Sequence, residues 1–456
     1  MRLSAQDVAA AMGAEILAEG EAGSPRRAVI NSAEAGPGDL FFGLKGANHD
    51  GAKFAAAAIE AGAWGVVASP EWRSSFVGDR PTKDERRAWV FAVADPLAAM
   101  QALARESRRA LGARVVGVTG SVGKTSVKDI TRALLPGKVH ANRENLNTEI
   151  GLPLTILEAP DDAEALVLEM AMRGKGQIAE LVAIAEPEVA VITNVGPVHV
   201  ELLGSVEAIA AAKAEILDDL PPGGTAVAPV EAGELEPHLE PIAEQLRFGP
   251  GGDVEATEVK VLDGVSEALI KTPLGTQRFH FPFTEAHNLT NALAAIAAGV
   301  ALGADLAGMA DRAASIGFSR FRGERLELPG GIVLVNDCYN ANPVSMRAAL
   351  DHLASLEAQR TVAVLGEMGE LGPDSAGYHH GVGEHARAAG IDFLIGVGLP
   401  ARDYDPDELV ADPGEAAELL AQRLEPGDAV LVKGSRSAGL EAVAEQLVDL
   451  VGAEEG

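Results

Sequence analysis

Continuous apolar runs punctuate this chain, and each ends on glycine or polar residues. ARVVGVTG (113–120), ALVLEM (165–170) and VAVITNVG (189–196) are runs of that kind, rich in β-branched residues. Uninterrupted apolar strands suit a parallel sheet buried on both faces. After residue 320 the rhythm returns in IVLVND, TVAVLGE, DFLIGVG and DAVLVKGS, each followed by a loop and mostly by a helix-compatible stretch. Residues 251–283 alternate instead, which predicts a small antiparallel patch. Ahead of residue 94, VINSAEAGPGDLFFGL and WGVVAS read as short strands around a helix-like AKFAAAAIEAG, with Pro37-Gly38 as a turn. Residues 96–110 read as a connecting helix.

The pattern predicts an α/β protein of three domains, covering 1–94, 95–318 and 319–456. The length of 456 residues agrees, since it exceeds what one core usually supports. The formal charge of −30 argues against a nucleic-acid or anionic-membrane partner, which would be repelled at long range. An anionic substrate would therefore need lysine, arginine, backbone amides or a metal gathered around it. Cys338 is the only cysteine, so no intrachain disulfide forms and a reducing compartment fits. MRLSAQDVAAAMGAEIL lacks the basic start and apolar block of a signal peptide. The longest uncharged apolar run, Ala292 to Ala304, falls short of the roughly 20 residues a membrane span needs. These features predict a cytoplasmic protein, and no coiled-coil pattern calls for more than a monomer.

GVTGSVGKTSVKD (117–129) follows one of the apolar runs and opens a helix-compatible stretch. Gly123-Lys124-Thr125 match the end of the phosphate-loop pattern, although Val118 stands where its first glycine is expected. Thr119, Gly120, Ser121, Val122, Gly123, Lys124, Thr125 and Ser126 are therefore expected to bind nucleotide. Backbone amides and the helix N-terminus would meet phosphate oxygens, Lys124 would reach the β- and γ-phosphates, and Thr125 would hold Mg²⁺. A ligand-free glycine turn is the competing reading. The loop alone leaves GTPases, kinases and ATP-driven ligases open, and the missing N-K-x-D pattern weakens only the first.

Further motifs, taken in order, narrow this. They are NLNTEIGLPLT (145–155), LEM (168–170), TNVGPVH (193–199), AAKAEIL (211–217), HNLTNALAAIA (287–297), NDCYNANPVSM (336–346), LGEMGELG (365–372) and LVKGSRS (431–437). Together they resemble the Mur ligases of peptidoglycan synthesis. The resemblance implies an N-terminal domain for a UDP-sugar, a central P-loop ATPase domain and a C-terminal Rossmann-like domain. It also implies amide formation from ATP through an acyl phosphate. YNANP and GEMGELG point to the member that joins D-alanyl-D-alanine to a UDP-N-acetylmuramoyl-tripeptide.

Carried onto this chain, the resemblance makes Glu169 and His199 ligands of Mg²⁺ together with Thr125. It makes Lys213 a carboxylated lysine, where a solvated lysine would be the plain reading. It sets His287, Asn288 and Asn291 toward adenine, against helix capping by Asn288. Arg325 matches an arginine that meets phosphate, with Arg322 or Arg320 able to share the role. Asp337, Tyr339, Asn340 and Lys433 would contribute from the C-terminal strand ends. Ser435 joins them there, and His379 is open between a substrate role and a structural one. Ser32, Lys45, Gly46 and Asn145 are the expected substrate contacts. Asn31-Ser32-Ala33 departs from the family's D-S-R, and Cys338 reads as a buried small residue.

Overall fold

The computed structural model describes residues 3–46, 50–72, 88–196, 203–231, 233–262 and 264–452. Four sheets follow one another along the chain. The first holds β1 (Glu15–Ala18), β2 (Arg27–Val29), β3 (Asp39–Phe42), β4 (Gly65–Ala68) and β5 (Trp89–Ala92), ordered β1-β5-β4-β3-β2. All neighbours in it are parallel except β1 and β5. The turn at Pro37-Gly38 lies between β2 and β3, with Gly38 at φ 85°, a conformation glycine adopts without strain.

The second sheet is wholly parallel. Its strands are β6 (Arg114–Thr119), β7 (Val139–Ala141), β8 (Ala165–Glu169), β9 (Val189–Ile192), β10 (Thr225–Pro229) and β11 (Glu244–Phe248). Their order, β11-β10-β9-β6-β8-β7, puts β6 between β9 and β8. The apolar runs are buried on both faces, as their unbroken character requires. Residues of the alternating region form a three-stranded antiparallel sheet of β12 (Glu255–Leu262), β13 (Val265–Thr272) and β14 (Gly275–Phe281).

The fourth sheet is ordered β15-β16-β20-β17-β18-β19. It comprises β15 (Glu324–Leu328), β16 (Ile332–Asn336), β17 (Arg360–Leu365), β18 (Phe393–Val397), β19 (Glu408–Val410) and β20 (Asp428–Lys433). Only β15 is antiparallel to its neighbour.

Helices fill the faces, and their starts are written in the sequence. Asp95 caps Pro96–Leu111 by accepting from the amides of Leu97 and Ala98, with proline at the first turn where no amide is missed. Ser205 caps Val206–Ala214. Asn342 caps Pro343–Ser355, so the NANP motif is a helix start as well as a strand-end loop. The helix Pro96–Leu111 is more than a connector. Met100 and Leu103 lie in one apolar cluster with Leu40 and Phe91 of the first sheet and Val115 and Leu166 of the second. On the opposite face of the second sheet the helix Lys124–Leu134 packs beside Ala286–Ala301, whose alanines from Ala292 to Ala298 are fully buried. Small side chains let those two helices approach closely, and that approach places the phosphate loop. Among the described residues, no helix is long and apolar enough to cross a membrane.

Candidate active site

The GVTGSVGKTS segment leaves β6 and enters the helix Lys124–Leu134 through two glycines that no other residue would replace easily. Gly123 has φ 80°, and a Cβ there would sit 2.4 Å from Asn291 Oδ1. Gly120 has φ 151°, and a Cβ there would sit 1.9 Å from Thr193 Oγ1. Thr119 anchors the loop from below by donating to the Met170 carbonyl at 3.0 Å. Asn194 Oδ1 accepts from the Ser121 and Val122 amides at 3.1 and 2.9 Å. Lys124 Nζ donates to the Gly120 carbonyl at 2.9 Å. Burial lowers the pKa of Lys124, while Glu169 opposes that shift and Arg322 adds to it.

Thr125 is the hub. Its Oγ1 donates to Glu169 Oε2 at 2.8 Å and accepts from Arg322 Nη2 at 2.9 Å. Glu169 is the buried last residue of β8, and its Oε1 accepts from Asn147 Nδ2 at 2.8 Å. Asn142 brackets its main chain, accepting the Glu169 amide at 2.6 Å and donating to its carbonyl at 3.2 Å. Lys213, on the helix Val206–Ala214, is 2% exposed, too buried for a solvated lysine. Its pKa is pushed far down by burial, and the Lys124 charge pushes the same way. Among the described residues nothing accepts its protons. His199 lies outside the described residues.

A cavity of about 780 Å³ opens above this loop. Ser121 to Ser126, Asn145 and Glu169 form one wall, and His287, Asn288 and Asn291 line it further along. The opposite wall comes from the fourth sheet, with Asp337, Tyr339, Asn340 and Lys433. Lys433 is buried at the end of β20 and donates to Asp337 Oδ2 at 2.6 Å and the Asn340 carbonyl at 3.1 Å. Ser435 ties the same strand-end loops together, accepting the Gly369 amide at 2.8 Å. Ligands of open parallel sheets bind at such carboxyl ends.

Asn288 is not the cap of its helix. Glu285 holds that position, and the Asn288 amide donates to Glu285 Oε2 at 3.3 Å while accepting from Asn291 at 3.2 Å. Burial lowers the pKa of His287, against the opposing charges of Asp337 and Glu285.

The structure brings Arg322, rather than Arg325, to the phosphate loop. The Arg322 guanidinium lies 4.0 Å from the centre of the Tyr339 ring. Arg325, on β15, is half exposed, lies 3.8 Å from Glu327 and lines an adjoining cavity. Arg320 is exposed. His379 is structural: its Nε2 accepts the Met368 amide at 3.0 Å and its Nδ1 donates to the Ser375 carbonyl at 2.7 Å. Burial raises the Cys338 thiol to a pKa of about 12, which removes it as a nucleophile. Of the expected substrate contacts, only Asn145 lines the cavity; Ser32 opens a single 3-10 turn after β2, and Lys45, bridged to Asp50, and Gly46 follow β3.

Asn142, Asn147, Asn194 and His352 had no signal of their own. Asn147 and Asn194 lie inside NLNTEIGLPLT and TNVGPVH without standing out from them, and Asn142 lies three residues ahead of the first. His352, which lines the cavity, lies on the third turn of a helix that reads as ordinary.

Three family descriptions match successive segments of the chain. Descriptions of the Mur ligase family catalytic domain, Mur ligase middle domain and Mur ligase glutamate ligase domain match residues 28–108, 118–299 and 321–436. The UDP-N-acetylmuramoyl-tripeptide–D-alanyl-D-alanine ligase of Synechocystis is 38% identical over 431 residues, which cover 90% of this chain and 89% of that protein. Crystal structure I of MurF from Acinetobacter baumannii superposes with a TM-score of 0.86 at 28% identity, covering 98% of each chain. The Thermotoga maritima MurF ligase in complex with ADP superposes at 0.81 with 31% identity, covering 94% of this chain and 98% of its own.

Proposed function

The chain belongs to the Mur ligase family, and on that premise we propose that it joins D-alanyl-D-alanine to UDP-N-acetylmuramoyl-tripeptide while converting ATP to ADP and phosphate. The observation that carries this reading is the shared cavity. A phosphate loop forms one wall, and the strand ends of a separate sheet form the other. A curated relative at 38% identity carries that activity in its name, and a structural neighbour was solved with ADP.

The reaction has two steps. The terminal carboxylate of the tripeptide attacks the γ-phosphorus, forming an acyl phosphate and releasing ADP. The dipeptide amine then attacks the acyl carbon, and phosphate leaves the tetrahedral intermediate. The protein's work is positioning and charge neutralisation. The amides from Ser121 to Lys124 and the helix N-terminus receive phosphate oxygens, after Asn194 gives up its two. Lys124 leaves the Gly120 carbonyl for the β- and γ-phosphates. Arg322 supplies positive charge from the other domain, where an acidic protein most needs it.

Thr125 Oγ1 and Glu169 Oε2, adjacent oxygen donors, fit a magnesium ion. When bound, that ion neutralises phosphate charge. His199 belongs to the same assignment. Lys213 is assigned as the carboxylated lysine. Burial pushes its pKa well down, which favours the neutral amine that reacts with CO2. Adenine is assigned to Asn288 and Asn291, and the dipeptide to the side of Asn340 and Ser435. The UDP-sugar is assigned to the first sheet, through Ser32 and the Lys45-Gly46 turn. The three domains divide at residues 94 and 318.

Hydroxylamine tests the acyl phosphate. Added with ATP and UDP-N-acetylmuramoyl-tripeptide, but without dipeptide, it should yield the nucleotide-peptide hydroxamate. ATP turnover that ignores the nucleotide-peptide would contradict the reading.

A further inference from the structure

The chain crosses from the central to the C-terminal segment between Phe318 and Arg322, and different bodies hold the two ends. The Phe318 ring lies 5.8 Å from Phe283 and packs against the cluster around the helix Ala286–Ala301. Ser319 is held by the phosphate-loop helix itself. Its amide and its hydroxyl both donate to Asp129 Oδ2, at 2.9 and 2.8 Å. From Phe321 onward the chain belongs to the other body. Phe321 packs against the core of the fourth sheet, its carbonyl accepts the Tyr339 amide at 3.2 Å, and Arg436 lies 5.7 Å from its ring. Arg320, whose side chain is 74% exposed, is the residue in between.

The backbone marks the same place. Phe321 has φ 63° and Gly323 has φ 69°. A bulky residue in the left-handed region persists only where its surroundings over-determine it, and such positions cluster at switches. Asp129 is equally committed. It is 4% exposed, and its Oδ1 lies 3.1 Å from Lys128 Nζ, which is also buried. Lys128 in turn donates to the carbonyl of Asn142, the residue that brackets Glu169. Thr125 and Asp129 are four residues apart and share one face of their helix. The linker therefore meets that face at two rungs, Asp129 with Ser319 and Thr125 with Arg322.

We infer that Asp129 is a positioning residue: by holding Ser319 it fixes a pivot at Arg320-Phe321 and so delivers Arg322 to Thr125. The first rung stays made while the second exchanges. Released from the Thr125 hydroxyl, Arg322 would be free to meet a bound nucleotide without the linker losing its register. The catalytic half of this inference rests on the ligase reading above; the anchor itself does not.

The test replaces the buried pair by apolar residues of similar size, Lys128→Met/Asp129→Leu, which leaves no unpaired buried charge. Ser319→Ala is the milder variant, removing one of the two bonds. Hydrogen exchange on the ligand-free protein reads the anchor. Exchange at the Ser319 amide should speed up by about tenfold or more in the pair variant, and unchanged protection would overturn the anchor. Phosphate release then reads the positioning. In the pair variant kcat should fall by about tenfold while KM for ATP moves less than about threefold. Combined with Arg322→Ala, either variant should cause no further loss. Losses that multiply would show that Asp129 acts independently of Arg322 and would overturn the positioning role. If the unmodified protein releases no phosphate with its co-substrates, the ligase reading fails, and hydrogen exchange still decides the anchor.

Discussion

Thr125 Oγ1 stands between Glu169 Oε2 at 2.8 Å and Arg322 Nη2 at 2.9 Å, so one hydroxyl joins a carboxylate of the central sheet to an arginine from beyond the interdomain crossing. Glu169→Gln keeps the shape and removes the charge. Phosphate release should fall by about 10²–10³, the range typical of losing one preorganised electrostatic group. The Mg²⁺ concentration for half-maximal rate should rise as well. Titrating Mg²⁺ against the rate of phosphate release checks both.

Arg322 and Arg325 separate cleanly. Arg322→Ala should cost about 10²-fold or more in kcat, since it removes charge placed for the transition state. Arg325→Ala should stay within about threefold, because a half-exposed ion pair contributes little. Steady-state kinetics on the two variants decides which arginine serves the reaction.

The contrast shows what the sequence could carry. The phosphate loop was legible because glycines, lysine and threonine occur at fixed spacing between a strand and a helix. The buried strands were legible because a parallel sheet covered on both faces leaves no alternation. The choice among Arg320, Arg322 and Arg325 was not. Two left-handed residues, Phe321 and Gly323, redirect the backbone between them, and no periodicity survives such a turn. Asn142, Asn194 and Asp129 escaped for a related reason. Each acts through backbone groups far away in sequence, and those pairings exist only once the fold is formed.

Lys213 gives a prediction of opposite signs. Its folded-state pKa lies below that of the unfolded chain. The unfolded state therefore binds the extra proton between the two values, and stability rises with pH across that window. The contribution is full above the unfolded pKa near 10.5 and is lost as pH falls through the folded value. In CO2-free, metal-free buffer at neutral pH, Lys213→Met should raise the thermal midpoint by about 2–4 °C. The advantage should shrink as pH approaches the unfolded pKa. The same variant should lose ligase activity, and bicarbonate should restore activity only to the unmodified protein.

His379 makes a purely structural prediction. Its ring holds the Met368 amide inside the core, and it must be neutral with the proton on Nδ1 to do so. His379→Ala leaves that amide buried without a partner. Urea unfolding should show a loss of about 1–3 kcal/mol.

The most direct test of the central claim is phosphate release from ATP with UDP-N-acetylmuramoyl-tripeptide, adding D-alanyl-D-alanine or single amino acids in turn. Release that requires the dipeptide, and that disappears in Lys124→Ala, is the expected result. Release driven by a single amino acid on a shorter precursor would contradict the assignment while leaving the fold and the phosphate loop as described.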